Sequence, residues 1–99
     1  MEFKGALTEQ YVLQELVAAT PYTPYYYGTE SQTFEMDFMI QKGRNIVPIE
    51  VKAGSMTQAK SMKLYCDKFE PGYAVRFSML DYIEQDYLTN IPLYAVCNI

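Results

Sequence analysis

TFEMDFMIQKGRNIVPIEVK, the stretch from Thr33 to Lys52, reads as a β-hairpin with one acidic face. In the first arm Phe34, Met36, Phe38 and Ile40 alternate with Glu35, Asp37 and Met39. In the second, Val47, Ile49 and Val51 alternate with Pro48, Glu50 and Lys52. Period-two alternation gives each arm an apolar side and a charged side. The turn is Lys42-Gly43-Arg44-Asn45. A loop symmetric about Gly43 and Arg44 sets Gln41 opposite Ile46, Asp37 opposite Glu50 and Glu35 opposite Lys52. Two carboxylates then face each other across the strands.

Like charges directly opposite on a sheet destabilise it by up to roughly 1 kcal/mol, and by more where water is excluded. A divalent cation such as Mg²⁺ or Mn²⁺ would offset that repulsion, because hard cations take carboxylate oxygens and need few ligands from protein. Lys52, on the same face two residues after Glu50, would stand beside the cation, where an ammonium can hold a water or stabilise charge on a phosphate. The plainer alternative is a solvent-facing sheet surface with a Glu35–Lys52 pair and an incidental clash between Asp37 and Glu50. Structural ion-pair networks perturb carboxylates too. A slip of one residue in the register would send Asp37 to the other face.

Ninety-nine residues with a 49% hydrophobic fraction are enough for one domain with its own core. No apolar run is long enough to span a bilayer and no charged-then-apolar leader occurs, so the expected location is cytoplasmic. Cys66 and Cys97 are the only cysteines and are expected to be buried thiols rather than a disulfide. The absence of histidine removes Ser/His and Cys/His nucleophilic catalysis, His-ligated zinc and any imidazole base. Chemistry must run on carboxylates, Lys, Tyr or metal-bound water. A net charge of -4 argues against strong non-specific nucleic-acid binding by this chain alone, since phosphate contacts need Lys and Arg.

Residues 1–19 follow a helical pattern that stops before Thr20-Pro21. On a wheel of about 100° per residue, Ala6, Val12, Leu13, Leu16 and Val17 form one apolar arc, and Glu9 falls in its middle. A lone buried carboxylate is costly, so Glu9 is either paired or in use. It could also be a solvated acid near the helix start, favoured by the dipole. Tyr25-Tyr26-Tyr27 before Gly28 reads as a short strand; aromatic packing is preferred over a base-stacking platform.

A second helix is expected from about Thr57 to Phe69, with Ala59, Met62, Cys66 and Phe69 on one side, Tyr65 adjoining, and Pro71-Gly72 ending it. Lys60 and Lys63 are basic at helical spacing, and Ser61 and Tyr65 lie one turn apart. These four could touch a phosphate backbone; a solvated face with Lys63 pairing Asp67 is the other reading. Tyr73, Val75 and Phe77 alternate with Ala74, Arg76 and Ser78 as in a strand. Ile91-Pro92-Leu93-Tyr94 is compatible with an edge strand or the start of a short terminal helix. The resulting order, helix, strand, hairpin, helix, strand, predicts an α/β fold with a mixed sheet flanked by helices. The passage from the Lys52 strand through the second helix to the Tyr73 strand would be a right-handed parallel unit.

An acid on the first helix (Glu9), an Asp on one strand (Asp37) and Glu-x-Lys on the next (Glu50, Lys52), followed by a helix, resemble the PD-(D/E)XK nuclease superfamily with its restriction-endonuclease-like fold. More narrowly, Gly5-Ala-Leu-Thr-Glu9, Glu35-Met-Asp-Phe38, Pro48-Ile-Glu-Val-Lys-Ala-Gly54, Lys60-Ser61 with Tyr65, and Ile91-Pro-Leu-Tyr94 resemble the domain of unknown function 4143, which follows the ATPase module in prokaryotic AAA-type ATP-binding proteins. These five motifs cover nearly the whole chain.

The resemblance implies an αβββαβ core in which Asp37, Glu50 and the Val51 carbonyl bind Mg²⁺ or Mn²⁺, Lys52 positions the attacking water, and Glu9 orients a second metal or water. The implied reaction is metal-assisted hydrolysis of phosphodiester bonds in DNA, by an endonuclease or an exonuclease. It further implies that residues 1–99 are the C-terminal fragment of a longer AAA-type ATPase whose nucleotide-binding module is the partner. No Gly-x-x-x-x-Gly-Lys-Ser/Thr loop occurs here, so no ATP site is expected. Fold does not establish activity, and an inactive nuclease-like domain serving as a regulatory or interaction module is the alternative.

Overall fold

The structure, a computed structural model, describes residues 2–26, 37–53, 60–85 and 87–99, with the backbone alone at 2–6 and 60–61. In chain order the elements are α1 (Glu2–Ala19), β1 (Tyr25–Tyr26), β2 (Phe38–Lys42), β3 (Asn45–Val51), α2 (Lys60–Phe69), β4 (Val75–Ser78), β5 (Ile83–Glu84), β6 (Thr89–Pro92) and a terminal 3₁₀ helix, Leu93–Asn98.

The central hairpin has the symmetric register, with Phe38 against Ile49, Ile40 against Val47, Gln41 against Ile46 and Lys42 against Asn45. Gly43 supplies the left-handed residue of the turn at φ 66°, a conformation open to a residue without a Cβ. The first arm's Phe34, Glu35 and Met36 lie outside the described residues, and with them the Glu35–Lys52 pairing.

The sheet has six strands in the order β1-β2-β3-β4-β6-β5. β3, β4 and β6 run parallel to one another, and the outer pairs are antiparallel. The link from β3 through α2 to β4 is therefore a parallel crossover, as the hairpin-helix-strand order predicts. The stretch at 91–94 divides between the two expected forms. Ile91 and Pro92 end β6, and Leu93 opens the terminal 3₁₀ helix. The edge-strand expectation is corrected, because β6 lies between β4 and β5. Pro92 is accommodated there as the last residue of the strand.

Alternating residues of the strands feed two cores. Phe38, Ile40, Val47, Ile49, Val51, Val75, Phe77 and Ile91 pack with Val12 and Leu16 of α1 and with Val96 and Ile99. Met39, Ala74 and Leu88 pack with Met62, Tyr65 and Cys66 of α2. The helices thus cover opposite faces of the sheet, and Val47 to Val51 are buried in unbroken succession. The picture of a solvent-facing acidic surface is corrected at Glu50, which is buried at 3% exposure. The apolar arc of α1 is narrower than the wheel suggests. Val12 and Leu16 are fully buried, whereas Val17 is 64% exposed because the sheet meets only one side of the helix. Both cysteines are free, with Cys66 buried and Cys97 exposed, so the expectation of two buried thiols holds for the first alone.

α2 ends at Glu70, whose amide donates to the Cys66 carbonyl at 2.9 Å and whose φ is 48°. Left-handed backbone at a helix end favours glycine. Glu70→Gly is expected to stabilise the fold by about 0.5–1 kcal/mol, despite the looser unfolded chain. A urea titration would register it as a higher midpoint at unchanged slope; a lower midpoint would show that the left-handed turn carries no strain.

Candidate functional site

Glu50 sits in the middle of the sheet near the C-terminal end of β3 and is 3% exposed. A carboxylate at such a depth needs partners. Lys52 Nζ is 3.9 Å from Glu50 Oε1, with the Lys52 side chain 35% exposed toward the opening of the site. Arg76 is the cross-strand neighbour of Glu50 on β4 and is itself 1% exposed. Burial raises the Glu50 carboxyl above its ordinary range, and the charges of Lys52 and Arg76 act against that rise. Its second oxygen, Oε2, is buried without a hydrogen-bond partner among the described residues.

Asp37 precedes β2, and its amide donates to the Ile49 carbonyl at 3.0 Å, which draws it alongside the end of β3. Its Oδ2 accepts the Val51 amide at 2.7 Å. The Asp37 carboxyl is pushed up to about 7, first by burial, then by a hydrogen bond and the charge of Glu9 and by the charge of Glu50, against the lowering effect of the Val51 amide. Glu9 is half-buried one turn before Val12 and Leu13, on the side of α1 that faces the sheet. Asp37 therefore draws together a helix acid and a strand acid that are 41 residues apart in the chain.

Three of the expected catalytic acids, Glu9, Asp37 and Glu50, thus interact around Asp37, with Lys52 beside Glu50. No three acidic or cysteine side chains form a ready-made metal cage among the described residues. The pair Asp37 and Glu50 still fits a hard cation: Glu50 presents a buried acceptor with no donor among the described residues, and each carboxyl is held above its ordinary range by burial. Carboxylate oxygens are the donor type that Mg²⁺ and Mn²⁺ take. Val51 contributes its amide, to Asp37.

The residues expected to touch a phosphate backbone separate. Lys63 is on the exposed side of α2, 3.3 Å from Asp67 and over the Tyr87 ring at 5.7 Å, as the solvated-face reading has it. Tyr65 is buried, with its hydroxyl toward Met39 Sδ at 3.9 Å and its ring 4.7 Å from that of Phe69. The side chains of Lys60 and Ser61 lie outside the described residues. The tyrosine strand β1 pairs with β2, and Tyr26 stacks obliquely on Phe38 at 5.6 Å while both of its tyrosines stay exposed.

Sequence reasoning missed a polar cluster next to Glu50. Arg76 Nε donates to Asn90 Oδ1 at 2.8 Å, and an Arg76 terminal nitrogen donates to Gln85 Oε1 at 3.0 Å. Ser78 Oγ donates to Asn90 Oδ1 at 2.6 Å. Asn90 Nδ2 in turn donates to the carbonyls of Leu80 and Asp81 at 3.1 and 3.0 Å. The signal was a charged residue within an alternating strand, at Arg76. It became informative once β4 proved to be interior and covered on both faces. A concavity of about 300 Å³, lined by Cys66, Glu70, Gly72, Tyr73 and Leu88 among others, opens at the N-terminal ends of β4 and β6, away from these acids.

With that geometry in place, comparison with known families is decisive at one level. The model of the domain of unknown function DUF4143 matches residues 4–96. The chain belongs to that family. No curated protein and no solved structure matches it. Membership covers α1 through the terminal 3₁₀ helix, so Glu9, Asp37, Glu50, Lys52 and Arg76 all lie within the matched region. No helix among the described residues is long and apolar enough to cross a membrane.

Proposed function

We propose that this DUF4143 domain binds Mg²⁺ or Mn²⁺ through Asp37 and Glu50 and hydrolyses phosphodiester bonds in DNA, as the PD-(D/E)XK nuclease-like part of a longer AAA-type ATPase. The observation that carries this reading is Glu50 Oε2, a buried carboxylate oxygen with no donor among the described residues, beside a second carboxyl whose ionisation the surroundings also oppose. A native fold seldom leaves such an atom unsatisfied without a use for it.

In this reading Asp37 and Glu50 hold the cation from adjacent strands, with the Val51 carbonyl as the third protein ligand. A divalent cation supplies Lewis acidity toward a phosphoryl oxygen and lowers the pKa of a bound water. Lys52, half open to solvent, places its ammonium where a phosphate and an attacking water would meet. Glu9 acts on Asp37, raising its carboxyl together with burial. Burial of Glu50 strengthens the electrostatic contacts it makes.

A second reading, an inactive regulatory or interaction module of the ATPase, has its own observation. The Val51 amide already binds Asp37 Oδ2 at 2.7 Å without a cation. The net charge of -4 points the same way. Calorimetric titration of Mn²⁺ separates the two. The metal reading expects saturable binding in the parent chain, a loss of more than about tenfold in affinity for Glu50→Gln, and none left in Asp37→Asn with Glu50→Gln. Cleavage of DNA by the full-length protein, abolished by Glu50→Gln, would complete it. Absence of Mn²⁺ binding in the parent chain would transfer the assignment to the regulatory reading.

A further inference from the structure

We infer that Arg76 is a positioning residue for Glu50, locked in place by Asn90 and Gln85. This inference rests on the metal-binding reading of Glu50.

The register places Glu50, Arg76 and Asn90 side by side on three consecutive strands, β3, β4 and β6. All three are buried, at 3%, 1% and 0% exposure. A row of one carboxylate, one guanidinium and one amide in the middle of a sheet is costly unless each member is oriented by the next. Asn90 is fixed first, because its amide nitrogen holds the Leu80 and Asp81 carbonyls and its oxygen also accepts from Ser78. The guanidinium is then held by Nε on Asn90 and by a terminal nitrogen on Gln85, among its contacts. A planar fork tied twice has little rotamer freedom left.

Its charge therefore acts on Glu50 from a constant direction. Lys52 acts from another, through a long side chain that is partly in water. Between them the two cations attract the Glu50 carboxylate, while Oε2 has no hydrogen-bond partner among the described residues. Lysine in place of arginine retains the charge but offers one nitrogen where two separated acceptors, Asn90 and Gln85, have to be reached. Gln85 is exposed, and its backbone amide bonds independently to the Leu88 carbonyl at 2.8 Å, so truncating its side chain removes one tie of the guanidinium without opening the sheet.

Groups that orient a metal ligand change metal affinity by roughly 10- to 100-fold when lost. Mn²⁺ affinity is expected to fall about tenfold in Arg76→Lys and about threefold in Gln85→Ala, by calorimetry on the 99-residue chain. Val96→Ala serves as the control, because it opens the core on the α1 side of the sheet without touching the Arg76 cluster, and should lower the melting temperature while leaving the affinity unchanged. Unchanged or tighter binding in both Arg76→Lys and Gln85→Ala overturns the inference, and so does an equal loss in Val96→Ala. A cation-free measurement accompanies these: the carboxyl carbon resonance of Glu50 should move in Arg76→Lys relative to the parent. If the parent binds no Mn²⁺, the metal reading fails by itself and this resonance decides the inference, a stationary signal counting against it.

Discussion

Asp37→Asn makes the protein more stable at neutral pH and flattens its dependence on pH. The folded-state value of Asp37, about 7, lies above the ordinary 3.8, so the folded chain holds this proton more tightly than the unfolded chain does. Below pH 4 the group is protonated in both states and its contribution is complete. As pH rises from about 4 to about 7 the unfolded chain ionises first, and that stability is lost. The full linkage corresponds to about 4 kcal/mol for a wholly buried group. With Asp37 only half-buried, water screens part of it, and about 2 kcal/mol is the expected gain at pH 8. In a chain of this size that is roughly 10 °C in melting temperature.

Asparagine suits the site, since its oxygen can accept the Val51 amide and its nitrogen can donate to Glu9. Some slope should remain, because Glu50 is also raised by burial. Thermal unfolding between pH 4 and pH 8 measures all of this. A parent chain that grows more stable across that window, with no gain from asparagine, would mean that Asp37 is well accommodated as an anion. The same substitution is expected to weaken Mn²⁺ binding, the usual opposition between stability and function at a built site.

Phe38→Ala should cost about 3–5 kcal/mol, most of the stability available to a domain of this length. Phe38 is 1% exposed at the start of β2, packs in the core shared with Val12 and Leu16 of α1, and carries the Tyr26 ring at 5.6 Å. Its loss would leave a cavity in the core between the sheet and α1. Val17→Ala, on the same helix as Val12 but 64% exposed, should change stability by less than about 0.5 kcal/mol. Urea unfolding of the two variants gives the comparison. Similar midpoints would contradict the one-sided burial of α1.

The hairpin was legible because strand periodicity and a glycine turn are local. Phe38, Ile40, Val47 and Ile49 all point to one core, and the symmetric loop correctly set Gln41 against Ile46. Glu9 was legible for a similar reason: an acid within an apolar stripe marks a place where a helix meets something polar, and that proved to be Asp37. Other readings went only part of the way. Val17 belongs to the apolar arc by spacing, but a helix lying on one sheet buries a narrower stripe than its wheel presents. Tyr65 was legible as an apolar-face residue, and its hydroxyl toward Met39 shows how little of it remains for solvent.

The sequence by itself determined the two periodicities, the acids at Glu9, Asp37 and Glu50 with Lys52 beside them, and the absence of any histidine-based chemistry. These are properties of composition and nearest neighbours. Only the tertiary structure decided that β6 is interior, that Glu50 is buried, and that Arg76 stands next to Glu50 with Asn90 and Gln85 holding it. Such facts depend on which strands become neighbours. Strand order is set by the burial of whole faces against helices, a collective property that no single stretch of the chain encodes.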